Sequence, residues 1–253
     1  MATVGVGSSV RRKEDPRLIT GKGTYVDDVK LIGMKHMVLV RSPYAHAKLG
    51  SIDVSAASKV AGIAAIFTGE QLEEELGSLP CGWVVPDTRE VPHPPLAIDT
   101  VRYVGDAVVA VIGDTLQSAK DAAALIDVEY EELPAVLDMH TAIKDGTVRL
   151  HEDAPNNIAF EWEVDAGSID EARNKSDVVV SQRFVNQRLI PNAMENRGVV
   201  ADYNVATNQI TMWTSTQIPH LVRVLLSLVT EHPEHLILSL IHISEPTRRY
   251  AIS

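Results

Sequence analysis

The residue best placed to do chemistry is Gln217, in the run Thr214-Ser215-Thr216-Gln217-Ile218-Pro219-His220. The flanking pattern reads as a strand ending and a helix beginning, with Pro219 tolerated in the first helical turn. Such a corner presents side chains and unpaired helix N–H groups to an anionic partner. A carboxamide placed there donates to an oxygen carrying negative charge and does not titrate. On the residues alone, an ordinary helix-start role fits Gln217 better.

The other candidates converge less. Met194-Glu195-Asn196-Arg197-Gly198 sets a carboxylate beside a guanidinium. The two could line a route to a site or pair with each other; pairing is the favoured reading, and Glu195 is not taken as a catalytic base. His232-Pro233-Glu234-His235 spaces two imidazoles three apart, but Pro233 breaks the helix face that such a metal pair needs. His151-Glu152-Asp153 reads as a solvated turn, and His220 as a helix-surface residue. Cys81 sits in a proline-rich loop and reads as an unremarkable thiol. Glu129, Glu131 and Glu132 read as a solvated acidic face. There is no Gly-x-Ser-x-Gly elbow and no phosphate-binding Walker loop. Gly21-Lys22-Gly23 and Gly5-Val6-Gly7 lack the third glycine and the strand-to-helix setting of a dinucleotide fingerprint, so turn chemistry explains them.

Composition narrows the partners. The 253 residues carry 23 Lys+Arg against 34 Asp+Glu, a net charge of -11. No basic stripe offsets that charge, which argues against nucleic acid. A single cysteine excludes an internal disulfide, a cysteine-based zinc site and an iron–sulfur cluster held by this chain alone. The apolar stretch from Leu221 to Ile243 is interrupted by Glu231-His232-Pro233-Glu234-His235, so no membrane span is expected. Met1 to Gly7 does not lead into a secretory h-region, and a cytoplasmic location is the expectation.

Periodicity then sets out the elements. His36 to Arg41 is β-rich, Ser55 to Val60 a short helix, and Ile63 to Thr68 a buried apolar run. The prolines at 80, 86, 92, 94 and 95 forbid regular structure, which predicts a long loop. Ala107 to Ile112 suits a central strand. Thr115 to Leu125 suits a helix capped by Thr115, and Asp127 to Tyr130 a further strand. Strand, helix, strand in that order predicts an α/β (α+β) domain with a mixed sheet. A linker is expected over 144–157. Beyond it the pattern predicts a strand at Ile158 to Val164 and a helix at Ile169 to Lys175, with Ser168 and Glu171 forming a capping box. Long β patterns follow at Val178 to Leu189, Gly198 to Tyr203 and Gln209 to Ser215, with a hairpin turn at Thr207-Asn208. Ile218 to Val229 reads as an apolar helix.

Several runs together resemble one large enzyme subunit. They include Arg12, Glu14-Asp15-Pro16-Arg17-Leu18, Thr20-Gly21, Gly23 and Tyr25-Val26-Asp27-Asp28. They continue with Val40-Arg41-Ser42-Pro43, Ala45-His46-Ala47 and Ile52-Asp53. Val101-Arg102-Tyr103-Val104-Gly105-Asp106, Ala122-Ala123, Val128-Glu129-Tyr130-Glu131 and Leu133-Pro134 complete the set. This is similar to the molybdopterin-binding large subunit of the xanthine dehydrogenase/aldehyde oxidase family, in its carbon-monoxide-dehydrogenase-like branch.

The resemblance implies an arm at 1–17, a hammerhead-type domain at 18–143, the linker at 144–157 and the start of a molybdenum-cofactor domain at 158–237. Residues 238–253 form an expected non-native tail, since the run from Leu238 resembles a translated sequencing adapter. The chain would then stop before the catalytic machinery is complete, ahead of the family's glycine-rich cofactor loop and active-site glutamate. The family's glutamine in the Gln217 motif hydrogen-bonds an oxo ligand of the metal, so Gln217 is the expected catalytic and cofactor-contacting residue, with no direct metal ligand. The implied cofactor is molybdenum on molybdopterin, in the cytosine dinucleotide form. FAD and 2Fe–2S clusters lie on partner medium and small subunits, in a dimer of heterotrimers. The implied reaction hydroxylates an aldehyde or N-heterocycle, or oxidises carbon monoxide, with water as the oxygen source. The alternatives are a non-catalytic subunit-binding module and a cofactor-free paralogue.

Overall fold

The computed structural model describes residues 13, 15–82, 84–164, 167–190, 192–193 and 195–241. In chain order these form α1 (Asp15–Ile19), β1 (His36–Arg41), β2 (Ala47–Asp53), β3 (Ile63–Thr68) and α2 (Gly69–Leu72). Next come β4 (Thr100–Val101), β5 (Ala107–Gly113), α3 (Leu116–Ala123), β6 (Asp127–Glu132), α4 (Met139–Ala142) and α5 (Ile169–Lys175). The last are β7 (Val199–Asn204), β8 (Gln209–Thr214), α6 (Pro219–Thr230) and β9 (Ile237–Ile241). Two compact units divide them. One comprises Gly33–Pro191 with Leu228–Glu231, and the other Met1–Ile32, Asn192–Ser227 and His232–Ser253.

The Gly33–Pro191 unit is organised by β5, whose continuous apolar run places it between β1 and β3 in the order β1-β5-β3. A second sheet has the order β4-β2-β6. Every pairing in both is antiparallel; the parallel pairing expected of a mixed sheet occurs in the other unit, between β8 and β9. The reason is local. Helix α3 does not cross from β5 to a parallel neighbour but folds back onto β5 and β1, and β6 joins the second sheet.

Val101, Val108, Val109, Val111, Ala47, Ala57, Ala119 and Ala122 are buried together, with Ile63, Ile66, Val38 and Tyr130 packed around them. Small residues let helix and sheet approach closely. Gly113 is part of that fit, since a Cβ there would lie 2.8 Å from Ser118 Oγ and 3.0 Å from the Ala119 nitrogen. Thr115 starts α3 as the sequence predicts: its Oγ1 accepts from the Ser118 N–H at 3.0 Å.

The expected linker is a built corner. Asn157, at φ 54°, accepts the Leu150 N–H on Oδ1 at 2.8 Å. Its Nδ2 donates to the carbonyls of Ala142 and Val148, each at 3.0 Å. Arg102 Nε donates to Leu150 O at 2.7 Å, tying the same corner to the end of β4. Among its described residues the proline-rich loop has no regular element, as expected, but its flanks are joined where the Leu79 N–H meets His93 O at 2.9 Å.

Two expected strands do not form. Ile158 to Val164 and Val178 to Leu189 have apolar β patterns, yet neither is assigned to a strand or has a ladder partner among the described residues. Val178, Val180, Phe184, Val185 and Leu189 are exposed. A β pattern specifies a strand only where another strand satisfies its backbone. Helix α5 forms between these segments because its signals are local. Ser168 Oγ accepts from the Glu171 N–H at 3.3 Å, while Glu171 pairs with Lys175 at 2.6 Å instead of closing the capping box.

Candidate functional site

The corner that carries Gln217 is built from a hairpin and a helix start. Strands β7 and β8 pair from Val199↔Thr214 to Asn204↔Gln209. The turn closes through Asn208, whose φ of 57° is the left-handed geometry that asparagine tolerates. His232 braces the turn, its ring Nε2 lying 2.9 Å from Asn208 O. That contact gives this histidine a structural role. Strand β9 then runs parallel to β8 with Ile210↔Ile237 and Thr214↔Ile241, so residues 237–241 continue the sheet although the expected non-native tail began at Leu238. Residues 242–253 lie outside the described residues.

Past β8 the chain is fixed once more before it turns. The Gly198 N–H donates to Ser215 Oγ at 3.0 Å, and the Ser215 N–H donates to Gly198 O at 3.3 Å. Thr216 Oγ1 then accepts the Ile218 N–H at 3.2 Å, satisfying one donor at the helix entrance. Helix α6 runs Pro219–Thr230, one residue on from the Ile218 to Val229 expected, and its last turn closes where Ser227 Oγ donates to His232 O at 2.6 Å. Glu231, at φ 54°, reverses the chain there.

Gln217 lies between these two anchors. It is exposed, and no described residue engages its carboxamide. An uncommitted amide on an anchored corner can donate to an anionic oxygen brought to it; an amide already bonded within the fold could not. His220, one turn on, is also exposed.

Glu195 and Arg197 do not pair among the described residues. Arg197 is exposed, whereas Glu195 is only 8% exposed and its Oε1 accepts the Val26 N–H at 3.1 Å. The chain bends at Glu195 and again at Arg197, so their i, i+2 spacing does not set the two side chains on one face, and only the carboxylate is buried. The other candidates do not gather. Among the described residues no three His, Cys, Asp or Glu side chains come together at metal-binding range. Cys81 is exposed. His151 is half-buried, and burial, Arg102 and His93 lower its pKa, with Asp153 opposing. It belongs to the corner around Asn157. Glu129 and Glu131 flank an open surface beside Gly50, where β2 shifts register against β6.

Sequence reasoning missed the Gly198–Ser215 pair and the Val26–Glu195 contact, because both join residues far apart in the chain. It also missed Asn157, for which the Pro155-Asn156-Asn157 run was an available signal of left-handed backbone.

Comparison with known proteins places both regions. Residues 20–134 match the model of the aldehyde oxidase and xanthine dehydrogenase a/b hammerhead domain, and residues 150–240 match that of the molybdopterin cofactor-binding domain. The chain is 37% identical over 88% of its length to the nicotine 6-hydroxylase large subunit of Paenarthrobacter nicotinovorans, of which it covers 27%. It is 34% identical over 91% of its length to the carbon monoxide dehydrogenase large chain of Afipia carboxidovorans, covering 30% of it. The solved structure of quinoline 2-oxidoreductase from Pseudomonas putida 86 matches with a TM-score of 0.85 and 36% identity, over 93% of this chain and 30% of that one. The chain thus spans under a third of the length of these relatives. With two successive domain models matched in order and a solved structure superposing over nearly its whole length, the chain belongs to the xanthine dehydrogenase/aldehyde oxidase family and carries its hammerhead domain and cofactor-binding-domain sequence.

Proposed function

We propose that this chain is part of the large subunit of a molybdenum hydroxylase, and that Gln217 donates a hydrogen bond from its carboxamide to an oxygen ligand of the metal. The carrying observation is the exposed, unengaged amide of Gln217 between two fixed points, the Gly198–Ser215 pair and the Thr216 cap. The fit is chemical: a neutral donor stabilises negative charge on oxygen at any working pH. When bound, the molybdenum–molybdopterin group supplies the two-electron oxidation of substrate with oxygen taken from water. This chain's own residues hold the donor at its corner and keep it free of competing partners.

The cofactor in this reading is the cytosine dinucleotide form, and a FAD-binding medium subunit and a 2Fe–2S small subunit complete a cytoplasmic dimer of heterotrimers. The substrate is an aldehyde, an N-heterocycle or carbon monoxide. The test is to express the uninterrupted gene with its neighbouring subunit genes and measure metal content, turnover and the electron paramagnetic resonance of the half-reduced metal. Molybdenum near one per large subunit is expected. Gln217→Ala should lower kcat on the order of 100-fold, the scale of losing one preorganised donor, and should alter the resonance. A metal-free wild-type enzyme, or Gln217→Ala with unaltered turnover and spectrum, would overturn the proposal.

A further inference from the structure

We infer that Glu195 is a positioning residue for the Gln217 corner, acting through the N-terminal turn at Val26. The inference rests on the reading of Gln217 given above. Four contacts make the path, all within the unit that includes Met1–Ile32 and Asn192–Ser227. Glu195 Oε1 holds the Val26 N–H at 3.1 Å, with both residues buried. Val26 packs against Gly198 so closely that a Cβ on the glycine would lie 3.2 Å from Val26 Cγ1. Gly198 in turn holds Ser215 by two hydrogen bonds, and Ser215 stands two residues before Gln217.

The turn at Val26 is itself well made. The Tyr25 N–H donates to Asp28 Oδ2 at 2.9 Å and the Val29 N–H returns to Val26 O at 3.1 Å. It therefore acts as a firm stop against Gly198, and Glu195 fastens that stop in place. The second carboxylate oxygen, Oε2, is buried and has no hydrogen-bond partner among the described residues. A buried carboxylate with one backbone donor is a costly group to keep for stability alone. Its geometry is accounted for by what Oε1 holds.

Two conservative changes separate positioning from general support. Glu195→Gln keeps an acceptor where Oε1 stands; Glu195→Ala removes it, and Glu195→Asp withdraws it by one methylene. Amide hydrogen exchange on the 253-residue chain is the first readout. Glu195→Ala and Glu195→Asp should speed exchange about tenfold at Val26, Gly198 and Ser215 together, with Glu195→Gln near wild type. The second readout is the assembled holoenzyme. There Glu195→Ala should lower kcat with KM held and shift the metal's resonance in the direction seen for Gln217→Ala, and Glu195→Gln should restore both.

Faster exchange at Val26 alone, with Gly198 and Ser215 as protected as before, would overturn the inference. So would a Glu195→Gln variant that behaves like Glu195→Ala. If the wild-type enzyme contains no molybdenum, the Gln217 reading fails, but the exchange experiment still decides whether Glu195 fixes this corner.

Discussion

Each of the two units has its own kind of interior. The Gly33–Pro191 unit closes on a cluster of valines and alanines, and its buried polar residues Ser42 and His46 are bonded to the main chain at Tyr44 and Pro134. The unit containing the Gln217 corner buries Val26, Met212 and Ile237, and beside them the carboxylate of Glu195. Its strand β7 is exposed along almost its whole length. An apolar core tolerates loss of any one hydrogen bond, because area removed from water carries most of its stability. The Gln217 corner has little such area and depends on a short chain of specific bonds.

Placing a charge in each region tests the contrast most severely. Val109 is fully buried at the centre of β5, and Val109→Asp strands an unpaired carboxylate there. A loss of about 4 kcal/mol or more is expected, measurable as a collapse of the urea midpoint. Val199→Asp on exposed β7 should change stability by under about 0.5 kcal/mol. Similar losses at the two sites would mean that β7 is covered in solution.

The next effect concerns the corner at 144–157, which belongs to the apolar unit yet is polar in construction. Asn157→Ala removes three hydrogen bonds and puts alanine at φ 54°. About 3 kcal/mol is expected, from three half-buried bonds at about 0.5 kcal/mol each together with a left-handed backbone costing about 1–2 kcal/mol. Asn157→Gly spares the backbone cost and should recover about 1 kcal/mol of it. Equal losses in the two variants, by chemical denaturation, would show that the φ value contributes nothing.

How much of this the residues announce depends on range. Elements with their own signals were legible: α3 from Thr115, α5 from Ser168, α6 from Pro219, and β5 from its unbroken apolar run. The family was legible too, because its motifs are short contiguous strings. The strands expected at Ile158 to Val164 and Val178 to Leu189 were not fulfilled, because a strand is a relation between two segments and a pattern describes only one. The Gln217 corner was found from the string around it. Its supports were not, since Glu195 lies 169 residues from Val26. The favoured Glu195–Arg197 pair failed for a related reason: nearness in sequence says little about which way a side chain turns.

Helix capping gives a smaller test of the same division. Thr115→Ala removes the cap of a helix packed into the apolar core, and should lower global stability by about 1 kcal/mol. Ser168→Ala uncaps α5, all of whose residues are exposed. There the loss should be local, seen as faster amide exchange within α5 and not as a shift in the unfolding midpoint. A global shift from Ser168→Ala would show that α5 belongs to the cooperative unit.

The smallest effect is a pH dependence at the edge of the apolar unit. His151 is half-buried, and burial is the leading cause of its lowered pKa; the charge of Arg102 and then His93 add to it, while Asp153 opposes. The fold therefore prefers the neutral ring. The unfolded chain takes up a proton near the unperturbed value of 6.5, while the folded chain resists until a lower pH. Stability from this group is thus intact above 6.5 and declines as pH falls from there toward the folded value. A melting temperature followed downward from pH 7.5 should begin to fall before the carboxylates titrate. His151→Gln, which cannot take up the proton, should flatten that first limb and leave the steeper acid limb in place. An unchanged first limb would show that His151 does not set it.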